Sequence, residues 1–287
     1  MATVREIRAR IATVKKIEQV TTAMKLVAAA RLRRAQERAE AARPYADMMQ
    51  KTIQQLAPSL KGLDHPLLAE RESKAAAVVV LCAERGLAGS YNANIMREVA
   101  GLVSSLPVPA HLYVIGKKGA AFLRRRKYNV VIEASMPGTE VNLGEVRALS
   151  ARVRAEFEAG DVDEVYLVYS RFVSAITQRP TVLKVLPIEA PATEANVPVA
   201  DDLIFEPDAP TLLGHLLPRY VDVQLYRAMT EAVASEHGAR MTSMTSASDN
   251  AAEMISDLTL QYNRVRQAAI TKELAEIVGG AEALSKG

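Results

Sequence analysis

The chain has 287 residues, of which 49% are hydrophobic and 24% are charged, a composition typical of globular proteins. The single cysteine, Cys82, excludes an internal disulfide, and the four scattered histidines lack metal-ligand spacing. The longest apolar run, residues 75–83, is too short to span a membrane. The net charge is only +3, but residues 1–62 hold thirteen Lys and Arg against five Asp and Glu. This basic segment predicts either an anionic partner or a solvated helix face.

Residues 3–56 are predicted to form one long helix. Thr3 and Glu6 fit a capping box at its start. Apolar side chains then recur at steps of three or four residues, as in a coiled coil. They are Ile7, Ile11, Val14, Ile17, Val20, Met24, Val27 or Ala28, Leu32, Ala35, Ala39 and Ala42. Pro44 predicts a bend in this helix or the start of its last stretch.

Residues 74–190 alternate strand-like and helix-like patterns, which predicts an α/β domain with a mostly parallel sheet. Helices are expected at 91–106, 117–126 and 144–159, and strands at 75–82, 111–115, 130–132, 165–173 and 181–188. The last two strands are predicted to form a hairpin with Gln178, Arg179 and Pro180 in its turn. A proline-rich connection, residues 191–210, follows this domain.

Residues 210–284 are predicted to form a second long helix, in which Pro218 marks a kink or an earlier break. Its apolar stripe weakens around His237 and Arg240. It is clearest at Met244, Ala247, Ala251, Met254, Leu258, Tyr262 and Val265. At 1.5 Å per residue the two helices are about 80 and 110 Å long, too long for one compact domain.

The predicted fold therefore has two parts. Because the termini of a compact domain lie near each other, the helices of 1–60 and 208–287 are expected to pair as a long antiparallel coiled coil. Between them, residues 74–190 are expected to form a central α/β, Rossmann-like domain.

One loop occupies the place where an α/β domain holds phosphate. Residues 85–91 follow the first predicted strand and precede a helix. The loop lacks the third glycine of a dinucleotide fingerprint and the Lys-Ser/Thr pair of a Walker loop. We therefore favour a tight strand-to-helix turn, with a nucleotide site as the alternative.

Other reactive side chains do not form a catalytic pattern. Residues 235–237 (Ser-Glu-His) are consecutive on a helix, so their side chains point in different directions. Cys82 ends a strand and is expected to be a small buried hydrophobe. Asp249, Glu253 and Asp257 share one helix face, where a solvated acidic stripe is favoured over a cation site. The sequence thus predicts no catalytic, cofactor or metal site.

Several motifs, taken in order, resemble the γ subunit of F-type ATP synthases. Residues 17–29 resemble its amino-terminal helix, and residues 249–252 and 262–281 resemble its carboxy-terminal signature. Residues 84–92 resemble the family's first strand and turn, although Ala88 and Ser90 depart from its usual choices there. Residues 204–208 resemble its pre-helix turn, so the similarity runs nearly end to end.

The resemblance implies a central rotor shaft rather than an enzyme. In this family the paired helices enter a ring of alternating α and β subunits, three of each. The α/β domain holds the ε subunit and rests on the membrane-embedded c-ring, and the nucleotides are held by α and β. The chain itself is therefore expected to hold no cofactor. It is expected at the cytoplasmic face of a bacterial membrane, as a peripheral part of the complex without direct membrane insertion.

The resemblance also implies which residues meet the partner subunits. The expected β contacts are Met24, Lys25, Arg266, Gln267 and Thr271, and the expected ε and c-ring contacts are Phe205 and Glu206. Met24 and Lys25 are expected near an acidic loop of β. Chloroplast members carry an inserted cysteine pair, so the lone Cys82 predicts a bacterial type without that redox control.

Two other functions are consistent with parts of the pattern. An α/β enzyme with helical oligomerisation arms would explain the domain order. A nucleic-acid binder would use the basic first helix, but that helix alternates its basic residues with an apolar stripe and lacks stacking aromatics.

Overall fold

A computed structural model describes residues 3–60, 65–188 and 208–285 of the chain. Its elements are α1 (Val4–Leu60), a 3-10 helix (Pro66–Leu68), β1 (Ala76–Leu81), α2 (Tyr91–Ser105), β2 (Ala110–Ile115), α3 (Lys117–Arg125), β3 (Val130–Ala134), α4 (Leu143–Ala159), β4 (Glu164–Phe172), β5 (Gln178–Leu186) and α5 (Ala209–Ser285). The predicted order of long helix, α/β segment and long helix is confirmed.

The chain divides into two compact units, and each long helix contributes to both. The terminal unit comprises Met1–Val27 and Ser243–Gly287, and the sheet unit comprises Ala28–Thr242. The sheet unit thus contains the α/β elements together with the adjoining parts of α1 and α5.

The sheet of the sheet unit has the strand order β3-β2-β1-β4-β5. β1 pairs in parallel with β2 and β4, and β2 pairs in parallel with β3. β5 alone is antiparallel and lies at an edge beside β4. The predicted mostly parallel sheet is therefore confirmed, with one antiparallel edge strand.

The predicted turn of the β4–β5 hairpin is wrong. Residues 178–180 lie inside β5, and Pro180 is paired with Ser170 of β4. An edge strand accommodates a proline because its amide can face away from the partner strand. The turn comes earlier, where the Ser174 hydroxyl accepts hydrogen bonds from the amides of Ile176 and Thr177.

Apolar side chains cover both faces of the sheet. On one face the core joins the sheet to α4 and to the sheet-unit parts of α1 and α5, through residues such as Phe157, Ile53 and Leu217. On the other face α2 and α3 contribute residues such as Ile95 and Leu123. All five side chains are almost completely buried. The α/β domain is therefore a three-layer structure in which the long helices form part of one layer.

Neither proline ends a long helix. Pro44 lies within α1, and Pro218 lies within α5. The side chains of Leu217 and Val221 next to Pro218 are buried in the core, and this packing offsets the hydrogen bond that proline cannot make. The earlier break considered at Pro218 is therefore absent.

In the terminal unit α1 and α5 pair antiparallel. Arg8, near the start of α1, donates a 2.8 Å hydrogen bond to the hydroxyl of Tyr262. Ser248, which comes earlier in α5, donates a 2.8 Å bond to the hydroxyl of Thr21, which comes later in α1. At the start of α1, Thr3 and Glu6 exchange the hydrogen bonds of the predicted capping box.

The seam between these helices differs from the predicted stripe. Ile7, Val14 and Thr21 are buried at intervals of seven residues, but Ile17 and Val20 are 51% and 58% exposed. Thr21 is tolerated in the seam because its hydroxyl donates to the Glu18 carbonyl of its own helix and accepts a hydrogen bond from Ser248 of the other helix. On α5, Met254 of the predicted stripe is likewise exposed.

Candidate functional site: the exposed faces of the terminal helices

The terminal unit carries an unusual number of exposed apolar side chains. Ten large hydrophobic side chains of this unit are exposed although its helices are paired. They are Ile17, Val20, Leu26, Val27, Met254, Leu260, Ile270, Leu274, Ile277 and Val278. Isolated exposed hydrophobes are ordinary, but series at helical spacing on both helices are typical of surfaces that another protein covers.

The end of α5 extends beyond its partner helix. Since Arg8 lies beside Tyr262 and α1 begins at Val4, α5 continues past the start of α1 from about Arg266. All the described side chains of residues 271–281 are exposed. An apolar face formed by Ile270, Leu274, Ile277 and Val278 therefore stands on a single helix. A lone helix is marginally stable in water, so this segment needs a partner surface.

The first turns of α1 add an unbalanced positive charge to this surface. Arg5, Arg10, Lys15 and Lys16 are exposed, and none of them forms an ion pair with any residue in the described ranges. Arg8 is engaged only with Tyr262, through the hydroxyl and across the ring at 5.6 Å. The terminal unit thus presents apolar side chains beside cationic ones, which suits a partner with apolar and acidic groups.

The predicted β contacts fall into two groups within the terminal unit. Met24 and Lys25 are half-buried on α1, close in sequence to Thr22, which bonds Ser248. Arg266, Gln267 and Thr271 are exposed on α5.

The structure does not bring the two groups together. Positions 248 and 266 of α5 are separated by roughly 30 Å at 1.5 Å per residue. The predicted contacts of the two groups therefore require either one extended partner surface or two separate partner surfaces. The predicted ε and c-ring contacts, Phe205 and Glu206, lie outside the described residues.

In the sheet unit, α5 lies across the carboxyl edge of the sheet. The Ser235 hydroxyl donates a 2.8 Å bond to the carbonyl of Ser170 in β4, and Tyr91 at the start of α2 donates to the carbonyl of Ala232. In open α/β sheets this edge, where neighbouring strands connect in opposite directions, is the usual place for a ligand. Here the chain's own helix fills the crevice between the ends of β1 and β4.

The loop after β1 is bound by α5 in the same way. The Arg240 guanidinium donates hydrogen bonds to the carbonyl oxygens of Arg85 and Gly86. A phosphate loop presents amide hydrogens to its ligand, whereas this loop presents carbonyl oxygens to a cation. The geometry supports the tight turn that we favoured over a nucleotide site.

Burial shifts the pKa of several groups around this edge. The pKa of Glu236 is raised by burial, although Arg240 lies at 2.5 Å and opposes the shift. The pKa of His237 is lowered to about 4 by burial, although a 2.6 Å hydrogen-bond contact with the Gly138 carbonyl opposes the shift. Burial raises the pKa of Cys82 to about 12, so its thiol is unreactive. The thiol is fully buried, as expected from the sequence.

These buried polar residues were not predicted as a functional group. The signal was present, because the apolar stripe of α5 weakens at His237 and Arg240. A polar stretch in a helix that is otherwise buried indicates specific hydrogen-bonded partners. The partners themselves lie in loops about 100 to 155 residues away in sequence, so periodicity could not identify them.

The described residues offer neither a metal site nor a membrane span. Within residues 3–60, 65–188 and 208–285, no three His, Cys, Asp or Glu side chains are placed to hold a metal ion. No helix in the described part of the chain combines the length and hydropathy needed to cross a bilayer.

The fold and the exposed surface define a class of protein that combines an α/β domain with a pair of long antiparallel helices. A family model described as ATP synthase matches residues 3–284. The chain is 47% identical to the ATP synthase gamma chain of Desulforamulus reducens over 284 residues, which cover 99% of this chain and 100% of that one. It is 45% identical to the gamma chain of Desulfitobacterium hafniense, with the same coverage. The chain therefore belongs to the ATP synthase gamma chain family.

Solved structures share the fold. The chain is similar to a chain in the rotor of the Euglena gracilis mitochondrial ATP synthase, with a TM-score of 0.69 and 17% identity, covering 93% of this chain and 98% of that one. A chain from the central stalk and c-ring of the Tetrahymena thermophila mitochondrial enzyme gives a TM-score of 0.60 at 23% identity, covering 80% and 99%. At these identities the likeness concerns the fold alone.

Proposed function

We propose that this chain is the central rotor shaft of an F-type ATP synthase. The single observation that carries the proposal is the exposed apolar and cationic surface of the terminal unit, including the stretch of α5 beyond the start of α1. Such a surface is typical of a protein that is surrounded by a ring of other subunits, which cover its apolar side chains. Membership of the gamma chain family, and the similar fold of chains in a mitochondrial rotor and a mitochondrial central stalk, support it.

The shaft acts through differences between its faces. It can bias three otherwise equal catalytic sites only if each site conformation has a different interaction free energy with the face it meets. The exposed side chains differ around the terminal helices, since apolar residues such as Val20 and Leu260 alternate with cations such as Lys16. Because coupling free energies are reciprocal, ATP hydrolysis in the ring turns the shaft by the same contacts.

The two predicted groups of β contacts serve this role at different levels. Met24 and Lys25 face an acidic loop of β, which the unpaired cations of α1 complement. Arg266, Gln267 and Thr271 contact β from α5, nearer the end of the shaft. The separation of about 30 Å along α5 means that the groups meet different segments of the ring.

The remaining parts connect the shaft to the membrane. The segments 1–60 and 208–287 supply the shaft, with α1 and α5 paired antiparallel in the terminal unit, and residues 74–190 form the domain that meets the ε subunit and the c-ring. Phe205 and Glu206 take part in that contact. The chain is then a peripheral protein at the cytoplasmic face of the bacterial membrane, and it couples ion transport to ATP synthesis.

In this proposal the chain has no catalytic site of its own. The crevice in which an α/β enzyme would bind its substrate is filled by α5, with Arg240, Ser235 and Tyr91 bonding across it. This arrangement disfavours the alternative of an α/β enzyme with helical arms. The nucleotides are held by the α and β subunits.

The test is co-expression of the chain with the α and β subunits of its own operon. We expect one copy of the chain to co-purify with three α and three β subunits, and the complex to hydrolyse ATP faster than α and β alone. A variant that ends at residue 266 removes the overhanging part of α5 and serves as the comparison. A chain that purifies alone, with no effect on ATP hydrolysis, would contradict the proposal.

A further inference from the structure

Three loops at the carboxyl edge of the sheet converge on one short stretch of α5. The loop after β1 contributes the Gly86 carbonyl, the loop after β3 contributes the Gly138 carbonyl, and the turn after β4 contributes the Ala175 carbonyl. The partners on α5 lie within residues 237–242. Most of these contacts use backbone carbonyls of the loops, so they fix the path of the loops regardless of their side chains.

Arg240 is the strongest link in this group. Its guanidinium lies 2.5 Å from the Glu236 carboxylate and 3.3 Å from the Gly86 carbonyl, and the whole residue is only 8% exposed. Charge-assisted hydrogen bonds in such a dry place are shorter and stronger than neutral ones. A bidentate guanidinium also fixes direction, which a lysine ammonium cannot do.

Glu236 extends the connection towards the sheet. The backbone amide of Glu84 acts on its buried carboxylate and opposes the rise of the Glu236 pKa caused by burial. The Glu84 carboxylate forms a 2.8 Å ion pair with Lys117 at the start of α3 and accepts a 3.1 Å bond from the amide of Met136. Polar groups thus follow one another from Arg240 across the ends of β1, β2 and β3.

Gly238 brings the hairpin turn against the same stretch of α5. A Cβ added at Gly238 would lie 3.0 Å from the Ala175 carbonyl oxygen and 3.1 Å from Nε2 of the Gln178 side chain. The Ala175 carbonyl of the turn therefore packs closely on the helix, and a side chain at this position would require these neighbours to shift.

The α1 helix is attached to the same loops by arginines. Arg38 donates a 2.9 Å bond to the Thr139 carbonyl, and Arg43 donates a 2.9 Å bond to the Phe172 carbonyl. Both long helices therefore hold the carboxyl-edge loops through guanidinium-to-carbonyl bonds. The Arg240–Glu236 pair of α5 is buried on both sides, whereas Arg43 of α1 is partly exposed and pairs with the buried Glu231 at 3.8 Å.

We propose that Arg240, Glu236 and Gly238 form a rigid joint through which torque passes between the α/β domain and α5. The inference rests on the proposed rotor function. A turning force applied to the domain reaches the shaft only through contacts that resist rotation of one against the other. Directional hydrogen bonds of His237, Arg240 and Thr242 to three separate loops, together with the buried ion pair between Arg240 and Glu236, provide that resistance, whereas apolar packing alone permits sliding. Arg240 is thus a positioning residue, and it touches no nucleotide.

The experiment uses the complete ATP synthase in inverted membrane vesicles. We compare Arg240→Ala with Arg219→Ala, which removes an exposed arginine of the same helix. ATP hydrolysis and ATP-driven proton pumping are measured on the same vesicles. For Arg240→Ala we expect ATP hydrolysis to continue while the number of protons pumped per ATP falls about twofold or more. The reason is that part of each rotation step of the shaft is then not transmitted to the α/β domain. Arg219→Ala is expected to keep the wild-type ratio.

A mechanical readout separates a joint from a general loss of stability. A bead is attached to the α/β domain through Ser105→Cys in an immobilised complex of α, β and this chain. With the ring paused, we expect the angular variance of the bead to increase about twofold in Arg240→Ala. Arg240→Lys is expected to recover part of the stiffness, because it keeps the ion pair with Glu236 but not the bidentate bonds.

The outcomes distinguish this inference from the proposed function. If the wild-type complex does not rotate the bead, the rotor function itself fails. A second outcome is that the wild-type complex rotates while Arg240→Ala and Arg240→Lys both keep the wild-type pumping ratio and bead variance. That result overturns the joint and leaves the rotor function standing. Should Arg240→Ala not assemble, Arg240→Lys and Gly238→Ala carry the comparison, and wild-type values in both would overturn the joint.

Discussion

The sheet unit and the terminal unit bury their apolar side chains in different ways. In the sheet unit, residues of β1 such as Val78 and Leu81 are completely buried between two layers of helices. In the terminal unit, two helices share a narrow seam with small or polar members such as Ala251 and Thr21, and large side chains such as Val20 remain outside. The sheet unit therefore encloses its core with its own elements, whereas the terminal unit leaves large apolar side chains exposed, as on surfaces that bind other proteins.

The largest effect is expected from opening the core of the sheet unit. Phe157 of α4 is fully buried, and Phe157→Ala should lower the free energy of unfolding by about 3–5 kcal/mol. Glu158→Ala, at the exposed neighbouring position, should change it by less than about 0.5 kcal/mol. Urea unfolding followed by circular dichroism measures both. Equal effects would show that the sheet unit lacks the independent core described above.

A pH dependence should come next in size and should also belong to the sheet unit. The unfolded chain binds a proton on His237 as the pH falls through 6.5, whereas the folded chain resists protonation until about pH 4. His237 therefore leaves the free energy of unfolding unchanged above pH 6.5. Between pH 6.5 and 4 it lowers this free energy progressively, by up to about 3 kcal/mol. The Arg240 and Arg31 charges contribute to this shift.

The difference between the wild type and His237→Gln isolates this contribution from that of Glu236, whose raised pKa acts in the opposite direction. We expect the wild type to lose more stability than His237→Gln when the pH is lowered from 7 to 4, in matched urea titrations. Parallel losses would contradict the assignment of this pH dependence to His237.

The pairing of the helices in the terminal unit should depend on the size of the side chains in the seam. Ala251 lies in the seam and is 6% exposed, so Ala251→Leu should force the helices apart and destabilise their pairing by about 1–3 kcal/mol. Ala252→Leu places the same side chain at the exposed neighbouring position and should have little effect. Hydrogen exchange of the amides of residues 5–20 measures the pairing. Equal exchange in the two variants would mean that Ala251 is not in the seam.

The smallest effect on stability should accompany a large effect on assembly. The double variant Ile17→Ser, Val20→Ser removes exposed apolar groups, so the free energy of unfolding should change by no more than about 0.5 kcal/mol. Its association with the α and β subunits should weaken, since the contact area is lost. Gln19→Ser, Ala23→Ser alters two nearby exposed positions, outside the named apolar and cationic side chains, as the control. Undiminished association of the Ile17, Val20 variant would argue that a partner does not cover this face.

Most elements could be predicted because their local patterns are strong. The buried run at β1 and the helix after the 85–91 loop carry signals that need no tertiary information. The hairpin turn was misplaced because Pro180 suggested a turn, whereas an edge strand tolerates proline. A proline alone does not report whether the strand around it is central or at an edge.

The seam shows a different limit of sequence analysis. Two apolar patterns fit α1 equally well. Ile17 and Val20 belong to a stripe with steps of three and four residues, and Thr21 belongs to a repeat of seven. The buried alternative is Thr21, whose hydroxyl bonds within its own helix and accepts a hydrogen bond from Ser248 of the other helix, a contact that the sequence of α1 alone does not reveal. A helix with two apolar faces, one for its own chain and one for a partner, cannot be resolved from one sequence.

The polar stretch of α5 shows why the joint escaped prediction. The weakness of the stripe at His237 and Arg240 was visible, but the loop carbonyls that satisfy them are backbone atoms without a residue signature. The β contacts, including Met24 and Arg266, came from the family resemblance and not from periodicity. They remain predictions.

Rotation of a single complex tests the central claim most directly. A complex of this chain with α and β subunits is immobilised on a surface through the α and β subunits. A bead is attached to the α/β domain through Ser105→Cys, at an exposed position. On addition of ATP, we predict rotation in one direction with three pauses per turn, one for each catalytic site. A bead that stays still while the complex hydrolyses ATP at an undiminished rate would contradict the account, because the chain would then not transmit work.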